Sequence, residues 1–244
     1  MKGSRARCLE LTGRPDAVVA QLLTDLIQPF GAVNANSDFW MPRGPNNGRE
    51  AKLGECESFV TDHAMRKTLT DWWLEIVPHA NTPNWDIVST CMIDGQAGLM
   101  LVEAKAHVHE LDTAGKRCDL HASPNSKANH NRIADAIEQA NVGLKAVMPG
   151  WNLSRDNHYQ MCNRFAWSWK LASMGIPVVL VYLGFLKADE MQIGRTLFGS
   201  HLNWESFVRS YGNGIVPDAA WNGCIDVNRT PMYAVIRSLD LPIP

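Results

Sequence analysis

The 244-residue chain has no C-x-x-C pair. Its six cysteines (Cys8, Cys56, Cys91, Cys118, Cys162 and Cys224) are scattered, which argues against a zinc knuckle or a disulfide frame and for free thiols in a reducing compartment. Long apolar runs are missing as well. The longest, Ile176 to Leu186, is too short to cross a bilayer. No apolar segment follows the basic start of Lys2, Arg5 and Arg7, so no secretory signal is expected and the reading is a soluble, cytoplasmic protein without membrane partners. Positive charge is not in excess: 23 Lys+Arg against 25 Asp+Glu leave a net −2. That balance excludes a protein that coats nucleic acid non-specifically, but it leaves room for a confined basic channel. There is no internal repeat and no long linker, so one α/β domain over residues 1–244 is the economical organisation.

What is present reads as alternating helices and strands. Pro15 to Ile27 predicts a first helix, with Val18, Val19, Leu22, Leu23 and Leu26 as its apolar stripe. Gly31 to Gly48 reads as a loop, and a second helix is expected from about Arg49 or Leu53 to Ile76. Two strands follow, Asn84–Ile93 and Leu99–Val108, joined by Asp94-Gly95-Gln96-Ala97-Gly98, a tight-hairpin signal. Helices at about 131–147 and 157–174 precede a buried strand from Ile176 to Leu183. Beyond it, a short helix near Trp204–Tyr211 and a final helix at Met232–Leu239 are expected.

The hairpin carries the chemistry. Side chains alternate along a strand, so Glu103 and Lys105 share a face while Val102, Ala104 and Ala106 point the other way. With a two-residue loop at Gly95-Gln96, Asp86 lies opposite Lys105; with Asp94-Gly95 at the tip it lies opposite Glu103. Either register puts Asp86 on the face of Glu103 and Lys105, whereas a three-residue loop would not. Two close carboxylates repel, and a hard divalent cation such as Mg²⁺ relieves the repulsion while leaving positions for water and a phosphate oxygen. A lysine beside them can orient or deprotonate the water, or neutralise developing charge. The competing interpretation of E-x-K is a plain ion pair on a solvated sheet.

Asp before a strand, a tight turn, then apolar-apolar-Glu103-Ala104-Lys105 resembles the PD-(D/E)xK, or restriction-endonuclease-like, nuclease superfamily. The family's leading Pro-Asp is here Asn84-Trp85-Asp86. Tyr159-Gln160-Met161 through Arg164 and on to Ile176-Pro177-Val178 resembles the helix-then-strand segment of the RecB-like branch, with Arg164 or Phe165 where a Tyr is usual. Gly54-Glu55 resembles the Gly-Glu opening of several branches, and Glu57 lies two residues on; Glu55 is preferred as the additional acid, although the helical pattern leaves the choice open. The resemblance covers about residues 50–186, with 187–244 as a C-terminal extension. It implies an αβββαβ core with a mixed central sheet flanked by helices, and a Mg²⁺-dependent nuclease for which Mn²⁺ can substitute. Asp86, Glu103 and Glu55 are implied as metal ligands, with Asp86, Glu103, Lys105 and Gln160 at the catalytic centre. DNA is the expected partner and RNA the second choice, with self-association left open. The alternative is a nuclease-like module that binds nucleic acid or protein without cutting.

Other residues have blander readings. His107 and His109 continue the Glu103 face but lack further zinc ligands. Cys118 and His121 sit in a polar loop without an orienting partner. Lys127, His130 and Arg132 open a helix where a phosphate contact is conceivable. Of nine tryptophans, Trp72, Trp73, Trp167 and Trp169 read as core; Trp40, Trp151 and Trp221, in loops, are either base-stacking platforms or core.

Overall fold

A computed structural model describes residues 2–243. One curled, mixed sheet of seven strands organises them, with six α-helices around it. The strands are β1 (Gly31–Ala32), β2 (Trp40–Met41), β3 (Ile87–Ile93), β4 (Gln96–Lys105), β5 (Val178–Leu186), β6 (Cys224–Val227) and β7 (Thr230–Asp240). Their order is β1-β3-β4-β5-β7-β6, with β2 also paired to β3. β3 and β4 are antiparallel, while β4, β5 and β7 run parallel.

The helices are α1 (Gly3–Thr12), α2 (Asp16–Ile27), α3 (His63–Trp73), α4 (Pro124–Val147), α5 (Tyr159–Ser173) and α6 (His201–Tyr211). α1 and α2 cover one face of the sheet, over Met100, Val102, Ala104, Val179 and Val181. α3 to α6 cover the other, over Leu99, Leu101, Leu180 and Tyr182. Burial on both sides explains why β5 reads as a continuous apolar run. Among the described residues, no helix is long and apolar enough to cross a membrane. All six cysteines are free.

Three expectations need correction. The helix expected from about residue 50 begins only at His63, where Asp62 accepts a hydrogen bond from Met65 N at 3.0 Å. Residues 51–62 fold back over α3 instead, and the Gly54 backbone comes so close that a Cβ there would stand 2.5 Å from Thr70 Oγ1. α3 also stops short of Ile76, whose backbone N–H and C=O are both taken by the Asn129 side chain. Secondly, Met232–Leu239 is a strand. Met232, Ala234 and Ile236 face one layer and Tyr233 and Val235 the other, so the apolar run is a strand buried on both sides rather than a helix stripe. Thirdly, 187–244 is no appendage, because β7 pairs with β5 from Val178↔Met232 to Leu186↔Asp240. Trp40, Trp151 and Trp221 are buried, which leaves them packing residues and not exposed platforms.

Candidate active site

The hairpin tip is Asp94-Gly95, both at positive φ (48° and 78°), the geometry of a two-residue primed turn whose twist matches the strands. It fixes the register at Ile87↔Val102. One step further along, Asp86 falls opposite Glu103 on the face that also carries Lys105. The Asp86 carboxylate is tied down by Ala104 N, which donates to Oδ2 at 2.7 Å. Its Oδ1 accepts no hydrogen bond from the described residues.

A cleft of about 720 Å³ opens at this end of the sheet. Asp86, Glu103, Lys105 and Gln160 all line it, together with Arg164, Asn163 and Lys116. Glu103 is fully buried and both its oxygens are occupied. Lys105 Nζ donates to Oε1, and Arg164 Nε donates to Oε2 at 2.5 Å. Arg164 is itself held from several sides: Nη1 donates to Asn163 Oδ1 at 3.0 Å and Nη2 to the Asn84 carbonyl at 2.8 Å. Its guanidinium stacks 4.4 Å above the Trp85 ring.

These neighbours set the charges. Burial opposes the ionised form of Glu103, but the attraction of Arg164 and Lys105 outweighs it and holds the carboxyl below the usual range. Asp86 goes the other way: burial, then the nearby Glu103, push it up to about 6. Arg164 is raised above its ordinary value because Glu103 and Asp86 more than offset its burial. Two acids and two bases thus cancel, while Asp86 remains short of a cation.

The acid expected on the second helix is not here. Glu55 lies exposed in a turn, pairing with Arg49 at 3.6 Å and Lys52 at 3.4 Å, and Glu57 is exposed beside Arg66 at 3.6 Å. Neither lines the cleft, because the segment that carries them is not helical and turns outward. Glu50 lines it instead, held by Arg5 and by Asn84 Nδ2 at 2.9 Å. Glu110 lines it too, with its Oε1 taking the Ser4 hydroxyl at 3.0 Å and its Oε2 the Ala106 N–H. No periodicity marks Glu50, which reaches the cleft only through the path of an irregular loop. Of the two histidines, His109 lines the cleft and His107 is buried. Cys118 and His121 do not line it.

Lys116 lines the cleft on the side of Asp112. Lys116 N donates to the Arg155 carbonyl at 2.8 Å, and Arg155 Nη1 donates to the His130 carbonyl at 3.2 Å. Lys116 Nζ lies 4.9 Å over the Tyr159 ring, and burial draws its amine below the ordinary lysine value.

Among the described residues, no three His, Cys, Asp or Glu side chains converge on a point that could enclose a metal. What the cleft offers is two neighbouring carboxylates, Glu103 with both oxygens paired and Asp86 with one oxygen that accepts no hydrogen bond from the described residues. None of the protein-family models, curated proteins or solved structures compared with this chain matches it.

Proposed function

We propose that the protein is a Mg²⁺-dependent phosphodiesterase of the PD-(D/E)xK, restriction-endonuclease-like type, cutting DNA. The observation that carries this reading is the meeting of Asp86, Glu103, Lys105 and Gln160 in one cleft at the end of a hairpin. The element order supports it, since α2, β1, β3, β4, α5 and β5 run as α-β-β-β-α-β, with β2 and α3 inserted before β3 and α4 before α5. Counted this way the core starts at Asp16 rather than near residue 50.

Asp86 and Glu103 fit the metal. Mg²⁺ takes one or two carboxylates and completes its shell with water and substrate phosphate, so Asp86 through its free Oδ1, joined by Glu103 once one of its ion-pair partners shifts, would match it, with Mn²⁺ as substitute. Asp86 Oδ1 accepts no hydrogen bond from the described residues, which leaves that oxygen open to a cation. Bound there, Mg²⁺ would supply Lewis acidity toward a phosphate oxygen and the attacking water. Lys105 would neutralise charge building on the phosphate or steer that water, and Gln160 would orient the lysine or the water. Lys116, which lines the cleft, suits a phosphate away from the scissile bond.

One observation favours the competing reading of a nuclease-like module that binds without cutting: both Glu103 oxygens are already paired. A panel of duplex, single-stranded and branched DNA with Mg²⁺ or Mn²⁺ separates the two. The enzyme reading expects metal-dependent cleavage that falls by about 100-fold or more in Lys105→Ala without loss of folding. DNA binding with no cleavage by the parent, with either metal, would assign the binding module.

A further inference from the structure

Glu103 is held by two cations of very different tenure. Arg164 is anchored on four sides, by Glu103 itself, the Asn163 side chain, the Asn84 carbonyl and the Trp85 ring. Lys105 has one hydrogen-bond partner among the described residues, Glu103 Oε1. Its ammonium is a compact, strongly hydrated charge on a flexible stem, whereas the guanidinium is a planar fork fixed by its geometry. A divalent cation seated between Asp86 and Glu103 would lie against the two cations that already hold Glu103; repulsion favours moving one of them aside, and Lys105, held by a single hydrogen bond, is the one that moves at least cost.

We infer that Lys105 is a place-holder: it occupies the cation position on Glu103 until a divalent ion replaces it, and Arg164 keeps the carboxylate in position throughout. The released ammonium then lies at the cleft, free to meet phosphate. The sequence departures fall into place on this basis. Trp85 stands where the family pattern has Pro, and Arg164 is a candidate for the place of its Tyr; here the two stack on each other, and Asn84 supplies the carbonyl that completes the anchor. Trp85 also donates its backbone N–H to Ala51 O at 3.0 Å, which a proline could not do. Arg164 is thus a positioning residue for Glu103, acting through that carboxylate.

The inference rests on the two-carboxylate metal reading, and calorimetric titration with Mn²⁺ alone, without DNA, tests the two separately. Lys105→Met removes the competitor and is expected to bind Mn²⁺ about tenfold tighter than the parent, the worth of one charge-assisted hydrogen bond. Lys105→Gln, which keeps a neutral hydrogen bond, should fall between them and serves if the methionine variant does not fold. Arg164→Met should bind about tenfold more weakly, and Arg164→Lys should not restore affinity because an ammonium lacks the fork. Parent binding with equal or weaker binding by the folded Lys105 variants overturns the place-holder role and leaves the metal site standing. No binding by the parent or by any folded Lys105 variant overturns the metal site and the place-holder together.

Discussion

Asp86 is ionised at neutral pH against both its burial and its neighbour Glu103, which push its carboxyl up to about 6. The folded protein therefore holds this proton more tightly than the unfolded chain does, and folding is penalised wherever Asp86 is charged. The penalty is full above about pH 6 and fades as the pH falls toward the unfolded value near 4. Asp86→Asn, which can still accept from Ala104 N, should raise stability at pH 7.5 by roughly 1–3 kcal/mol, with the gain shrinking by pH 4. Urea melts of both proteins at the two pH values check this; an equal difference at both would show that charge is not the cause. Asp86, Glu103 and Lys105 were legible in the sequence because a two-residue turn and a period of two suffice to bring them together. Gln160 and Arg164 were legible as neighbours on one helix face, but the Arg164–Glu103 pair spans 61 residues and follows from how α5 packs on the sheet.

Among the elements, α1 had no sequence signature because it carries no clear apolar stripe; Cys8 and Leu11 pack it on the sheet, and polar side-chain pairs add to its hold. Arg7, buried, pairs with Glu190 just after β5, and the Ser4 hydroxyl and Gly3 N–H add bonds to Glu110 and Glu190. The hydrogen bond from Arg7 draws the Glu190 carboxyl down to about 2. A lowered carboxyl stabilises the fold above its unfolded pKa near 4.5, and that contribution is lost as the pH falls toward 2. Glu190→Gln should accordingly cost roughly 1–3 kcal/mol at pH 7 and little near pH 2, read from denaturant melts. On the opposite side, the 112–123 segment brings Lys116 to the cleft rim. If that rim tracks a DNA backbone, Lys116→Ala should weaken binding of all sequences alike and lower the salt slope by about 1. An unchanged slope in a salt titration would remove Lys116 from the path of the strand.

The whole molecule is built as one sheet, so its two halves are not separable. A chain ending at Leu186 would lose β7 and leave β5, apolar on both faces, as an open edge. It should fail to unfold cooperatively and should aggregate, by circular dichroism and light scattering; a cooperative transition would mean that 187–244 is dispensable after all. With a net charge of −2, binding to a polyanion has to come from a local arrangement rather than from the overall field. Lys105, Lys116 and Arg164 bring three cations into the cleft, and no composition reveals their meeting there.

Short-range chemistry is what the sequence determined by itself: a tight hairpin within residues 94–98, the alternation along β4 that puts Glu103 and Lys105 on one face, the helical phase of Gln160 and Arg164, and the apolar run of β5. Each depends on spacings of a few residues, where backbone geometry leaves little freedom. The tertiary structure alone decided that 51–62 folds back over α3 and carries Glu55 and Glu57 away from the cleft. It decided too that Met232–Leu239 joins the sheet, that Glu50 and Glu110 reach the cleft, and that Arg164 shares Glu103 with Lys105. Those outcomes depend on which surfaces meet across long stretches of chain, and packing rather than local preference selects among them.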